Sequence, residues 1–477
     1  MIDSAAVVVG SGPNGLAAAL TLARAGFTVE VHEAAPALGG GTRTEELTLP
    51  GFRHDLCSAI HPMGRASPFF RFAGLGLDWV EPPAVVAHPL DDGSAVVLDR
   101  DLAALDLGPD TRSYRRLVEP IIRAWAEVEP LVLGPFPPPV SALLAGRRLA
   151  PAVKAALADA RSLAESTFAT ARGRAFFAGL AAHSVLPLER RPSAGFGLAL
   201  AVMGHVDGWG FPRGGAQQIA DGLAAEIRRA GGELHTDSAV DELPAAVVVL
   251  ADVMPAELRR IARLPERYDR ALRRYRHGPG AFKLDWALDG PIPWRAPEVA
   301  RAGTVHLGGT LDEISASEWG AWRGRPVERP FVLLAQPSLF DPTRAPDGKH
   351  TAWAYCHVPN GWRGDRTEAI EAQVERFAPG FRDLVLARHA TAPADFEARN
   401  RNLVGGDLNG GTMDLGQLLT RPARRWNPYR TPLPGVYLCS SATPPGGGVH
   451  GMCGYSAALV ALKDGSKRGR PPRSPSP

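Results

Sequence analysis

Cysteine is scarce in this chain. Cys57, Cys356, Cys439 and Cys453 are the whole supply, and no two of them form a C-x-x-C pair. That pattern gives no support to a disulfide framework, a zinc site or a redox-active dithiol. No spacing of His, Cys, Asp and Glu suits a metal, so none is expected. Uninterrupted apolar runs are short, which argues against a membrane-spanning helix. The start carries no secretory-signal pattern, and the expected setting is a reducing cytoplasm. Net charge is small at +3, and part of the excess sits in "KDGSKRGRPPRSPSP", residues 463–477, expected to be a disordered basic tail. With no basic face interleaved with aromatics, a nucleic-acid partner is not expected.

What the chain has is length and glycine. Its 477 residues exceed one compact core, so two domains are expected, and the 45% hydrophobic and 22% charged composition is that of an ordinary globular protein. Near the start, "AVVV" reads as a short strand, and Gly10-Ser-Gly12-Pro-Asn-Gly15 leads into a helical "LAAALTLARAGF". A second strand, "TVEVHEA", ends at Glu33, about 20 residues beyond the loop. Gly10 permits a tight turn, Gly12 admits a pyrophosphate, and Gly15 lets helix and strand pack closely. Glu33 can accept from ribose hydroxyls. Strand, loop, helix, strand and acid in that order point to a dinucleotide.

The next stretch separates FAD from NAD. "APALGGGTRTEEL" adds a second glycine cluster containing Gly40 and Gly41, followed by Arg43 and Thr44. A nicotinamide site has no use for this extension, whereas a longer cofactor continues past its pyrophosphate and needs close-approaching backbone there. No second G-x-G-x-x-G occurs, so a permanent NAD(P) domain is not expected. A third glycine-rich loop, "TPPGGGVHGMCGYSAALVAL", opens a helix near the end of the chain. It is expected to return over the flavin ring and point a helix N-terminus at the edge where negative charge accumulates on reduction.

These motifs, together with "GFRHDLCSAIHPMG", "GWGFPRGGAQQIADGLAAEI" and "GGDLNGGTMDLGQLLTRPARRWNPYRTPLPGVYLCSSATPPGGGVHGMCGYSAA", resemble the phytoene desaturase-like family of FAD-dependent oxidoreductases. The resemblance covers nearly the whole chain except the tail. It implies an α/β fold: a Rossmann-type FAD-binding domain with a glutathione-reductase-like parallel sheet, and an inserted α+β substrate domain built on an antiparallel sheet and helices. The cofactor domain is expected from 1–65, 205–265 and 400–462, and the substrate domain from 66–204, read as helical, and 266–399, read as strands. Flavin contacts are implied at Val240, Ser441, Gly448 and Val449. The chain departs from the family pattern at Ser440-Ser441, at Pro444 and in a shortened "TDSAVDELPAAVVVLADVMP". The resemblance also sets the "FPRGGAQQIADGLAAEI" loop beside the flavin, although an ordinary amphipathic helix explains it equally well.

A flavin supplies the hard chemistry, so the protein must position the donor carbon, exclude water and remove a proton. Candidate bases near the ring are Asp55, His61 and His450, with His54 beside them. The first reading is a dehydrogenase or desaturase passing a hydride from an organic, apolar small molecule to flavin N5. Oxygen or a quinone is then the diffusible acceptor, and peripheral membrane contact is compatible with such a substrate. The alternatives are an amine-oxidase-type enzyme acting on a small polar donor and a non-enzymatic flavoprotein. An aromatic-lined pocket favours the first, and a cage with one acid favours the second. Oligomeric state stays open.

Overall fold

The structure, a computed structural model, describes residues 5–467. Ala5–Val9 is buried on both faces, as a parallel strand covered by helices must be. It is the centre of a five-stranded, all-parallel sheet whose order is Val436–Leu438, Val248–Ala251, Ala5–Val9, Thr28–His32, Glu233–His235. In chain order this is a doubly wound pattern that reverses at the first strand, the position where such sheets bind ligands beyond the strand ends. Pro13 occupies the first turn of helix Pro13–Arg24, where its missing N–H costs nothing. The alanines of that helix allow close packing by helix Met452–Lys467: a Cβ on Gly454 would stand 1.7 Å from the Asn14 carbonyl oxygen. The two ends of the chain are therefore locked together beside the first glycine loop.

The second sheet has seven strands, ordered Val385–Thr391, Gly280–Leu288, His350–Val358, Val332–Ala335, Ala302–Leu307, Ala84–Pro89, Ala95–Leu98. Period-two alternation gives it two distinct faces. Phe282, Leu284, Trp286, Leu334, Ala354 and Cys356 join one apolar core with Ile370, Val374 and Phe377 of helix Thr367–Phe377. The opposite face carries His306, Leu333, Tyr355 and Lys283 in register across four strands. That polar-aromatic face looks toward the parallel sheet.

Three expectations need correction. Segment 66–204 is not purely helical, since it contributes Ala84–Pro89 and Ala95–Leu98 to the second sheet. Ala302–Leu307 pairs with Ala84–Pro89 in parallel, so one junction of an otherwise antiparallel sheet breaks that pattern. The expected disordered tail begins as helix, which runs through Lys467; the remainder of 468–477 lies outside the described residues.

Candidate active site

A cavity of about 730 Å³ opens beyond the carboxyl end of Ala5–Val9 and extends to the polar-aromatic face of the second sheet. Its floor is built from both N-terminal glycine clusters. Gly10, Gly12, Gly40 and Gly41 line it, and a Cβ on Gly40 would stand 3.1 Å from the Gly12 Cα. Gly15 and Thr44 do not line the cavity. Gly15 serves closure of the turn, because a Cβ there would lie 2.2 Å from the Gly10 carbonyl oxygen.

Glu33 also lines the cavity, held by its neighbours. Its Oε2 accepts from Ser11 N at 3.0 Å and Ser11 Oγ at 2.6 Å, and its Oε1 accepts from Ala35 N at 2.9 Å. Arg43 reaches Glu33 Oε1 at 3.4 Å, while its buried Nε has no hydrogen-bond partner among the described residues. Sequence reasoning missed Asp252, which follows the strand Val248–Ala251. Its Oδ2 accepts from Gly15 N at 2.8 Å, so it caps the helix that Gly12 has no side chain to cap. Burial pushes the Asp252 carboxyl up, the Gly15 amide opposes this and Glu33 adds to it, leaving it at about 7. The signal was an acid directly after a buried apolar run. Val240 lines the same end of the cavity, and Ser441, Gly448 and Val449 line its wall.

The far end is different in character. Trp353 and Tyr355, two apart on one strand, stack with centroids 5.7 Å apart and planes 12° from parallel. His183, Trp209, Thr304 and Leu333 complete that end. Beneath it, Thr48 Oγ1 lies 2.8 Å from His54 Nε2, His54 Nδ1 lies 3.5 Å from Asp285 Oδ1, and Asp285 pairs with buried Lys283. Burial alone would raise the Asp285 carboxyl, but Lys283 and His54 outweigh it and hold it low. The Cys57 thiol on the cavity wall is pushed up to about 11 by burial, with Lys283 opposing, and stays a thiol at neutral pH.

None of the three candidate bases is among the residues lining the cavity. Asp55 accepts from Thr44 Oγ1 at 2.6 Å, from Ala216 N at 2.8 Å and from Arg344 Nη2 at 2.6 Å. It joins the short hairpin to the start of helix Gln217–Arg229 and to Arg344. Gly214 likewise donates from its amide to Asp341, and Gly215 packs on Thr44, so that glycine pair braces the helix start. Ile219, Leu223 and Ile227 of the helix are buried in the core. His450 accepts from Met452 N through Nδ1 at 3.0 Å, and its Nε2 lies 3.2 Å from the Gly446 carbonyl. That fixes an Nε2–H tautomer, and burial, partly offset by the Gly446 carbonyl, lowers the ring to about 4. His450 thereby caps the helix N-terminus expected to face the flavin. His61 is lowered to about 4 by burial, with Asp55 opposing, and neither ring nitrogen has a partner among the described residues.

A cradle that any Cβ would fill, a helix start and a buried arginine with an unpaired N–H suit an anionic dinucleotide. Comparison with known proteins agrees. Residues 8–74 match a family model described as an NAD(P)-binding Rossmann-like domain. The chain is 28% identical to pyridine nucleotide-disulfide oxidoreductase domain-containing protein 2 of Mus musculus, over 96% of this chain and 93% of that protein. It is 27% identical to the phytoene dehydrogenase of Streptomyces griseus, over 98% and 96%. The solved cyclohexylamine oxidase from Brevibacterium oxydans superposes with a TM-score of 0.62 at 17% identity, covering 97% of this chain and all 100% of that one. The chain thus resembles the phytoene desaturase-like oxidoreductases along nearly its entire length and shares the architecture of an amine oxidase.

Proposed function

We propose that this protein is an FAD-dependent oxidoreductase that takes a hydride from an apolar organic donor. Bound FAD supplies the hydride acceptor, its isoalloxazine N5. The chain's residues do the rest. Gly10, Gly12 and Gly40 give the diphosphate room, and Arg43 offers it a free N–H. Glu33 stands where ribose hydroxyls can donate to it. Residues 1–65, 205–265 and 400–462 form the cofactor part in this reading; 66–204 and 266–399 form the substrate part. Trp353, Tyr355 and Leu333 exclude water from the donor's carbon.

The observation that carries the reading is the aromatic end of the cavity, where no carboxylate is among the lining residues; Glu33, Asp241, Asp252 and Glu257 all belong to the dinucleotide end. A protonated amine would find no counter-charge beside Trp353 and Tyr355, so an apolar donor fits better than an amine. With a single dinucleotide loop in the sequence, donor and diffusible acceptor share one cavity and must use it alternately.

Anaerobic stopped-flow mixing of the flavin-loaded protein with apolar donors, both hydrocarbons and their ketone or alcohol counterparts, and with primary amines, NADH and NADPH tests this reading. Bleaching by apolar donors is expected, with slow or absent reduction by either nicotinamide. Reduction by amines alone would move the assignment to an amine oxidase. Rapid, saturable reduction by NADH or NADPH would overturn it.

A further inference from the structure

The aromatic end of the cavity contains polar atoms that the hydride chemistry leaves unused. His183 follows helix Ala171–Ala182 and lines the cavity, and its Nε2 lies 2.9 Å from Nε2 of His306. Two ring nitrogens at that distance share one proton, so one ring donates and the other accepts. Burial holds both rings neutral: His183 is lowered to about 3, with His357 adding, and His306 falls well below its usual value, with His183 and His88 adding.

The pair has an inner and an outer end. His306 Nδ1 has no partner among the described residues and is sealed behind Gly179, where a Cβ would stand 2.7 Å away. A buried bare nitrogen is less costly there than an unpaired N–H. This favours the tautomer in which His306 Nε2–H donates to His183 Nε2, leaving His183 Nδ1–H to donate. Among the described residues nothing accepts from that atom. Thr304, two residues before His306 on the same face of its strand, also lines the cavity. It is 4% exposed, and its Oγ1 has no hydrogen-bond partner among the described residues. Trp209, Leu333, Trp353 and Tyr355 also line this end, and none of these four side chains is charged.

We propose that His183 and Thr304 form a subsite for one neutral oxygen of the substrate. The donor is then an apolar molecule bearing a carbonyl or hydroxyl group rather than a pure hydrocarbon, with His183 Nδ1–H and the Thr304 hydroxyl donating to that oxygen. This inference rests on reading the aromatic end as the donor site. A carboxylate or ammonium group is disfavoured there, because nothing compensates its desolvation. An oxygen left out leaves both donors without a partner, which is how a polar site rejects an analogue lacking its partner.

The test uses the purified full-length protein with its bound cofactor and two matched probes: 2-octanone and 2-methyl-1-octene, in which a methylene replaces the carbonyl oxygen. Calorimetric titration should show the ketone binding at least about tenfold more tightly, the equivalent of ~1.4 kcal/mol. His183→Phe and Thr304→Val should each reduce that preference while alkene binding persists. In the unsubstituted protein, the ketone should also shift the ¹⁵N resonances of the His183 imidazole, a readout that does not depend on any variant folding. Equal affinities for the two probes, including no binding of either, would overturn the subsite, as would a preference that survives His183→Phe. None of these readouts uses turnover. Loss of the preference leaves the oxidoreductase reading standing, and its presence in a protein whose flavin no organic donor reduces would remove that reading alone.

Discussion

The Gly12→Val variant is expected to fold and to purify without FAD. Gly12 has φ −61° and ψ 168°, an extended conformation that valine adopts without strain, so the backbone tolerates the change. Space does not. A Cβ at this position would stand 2.7 Å from Asp252 Oδ2, and Gly40 already sits close against Gly12. The carboxylate can turn aside, but the branched side chain then fills the floor where the diphosphate must lie. Affinity should fall by more than about a hundredfold, roughly 3 kcal/mol. Visible absorbance per chain and the thermal midpoint of the cofactor-free proteins check both halves of the expectation. Full occupancy in the variant would mean that the diphosphate does not lie over Gly12.

Asp55→Asn should cost stability rather than chemistry. Asp55 and Arg344 are each 1% exposed, and Arg344 Nη1 already lacks a partner among the described residues. The amide oxygen of asparagine can keep the bonds from Ala216 and Thr44, yet the guanidinium is left buried without its counter-charge. Breaking such a pair from one side costs on the order of 3–5 kcal/mol. Denaturant unfolding should show that loss, and whatever protein remains folded should keep its rate of flavin reduction. A base acting on the substrate would behave the other way round, with an unchanged midpoint and a collapsed rate.

This contrast shows where the sequence is legible. Strand, glycine loop, helix and Glu33 are local in the chain, and each imposes its own spacing, so the nucleotide end can be read from about thirty consecutive residues. Gly40 and Gly41 follow directly and line the cavity as their proximity suggests. Asp55, His61 and His450 sit in motifs expected to approach the ring, but membership of such a motif does not say which way a side chain faces. Asp55 turns toward Arg344, and the His450 ring folds back on its own loop. Asp252, His183, Thr304 and the Trp353–Tyr355 stack come from segments far apart, brought together only by strand register and helix placement. The strands at 84–98 escaped for another reason: runs such as "AVVL" are too short to stand out in an Ala- and Leu-rich stretch.

The most direct test is chemical. The purified protein, precipitated with acid, should release one equivalent of a flavin that chromatographs as FAD, with no colour left on the precipitate. Release of NAD alone, or no cofactor uptake even after reconstitution with FAD, would contradict the assignment of this cavity.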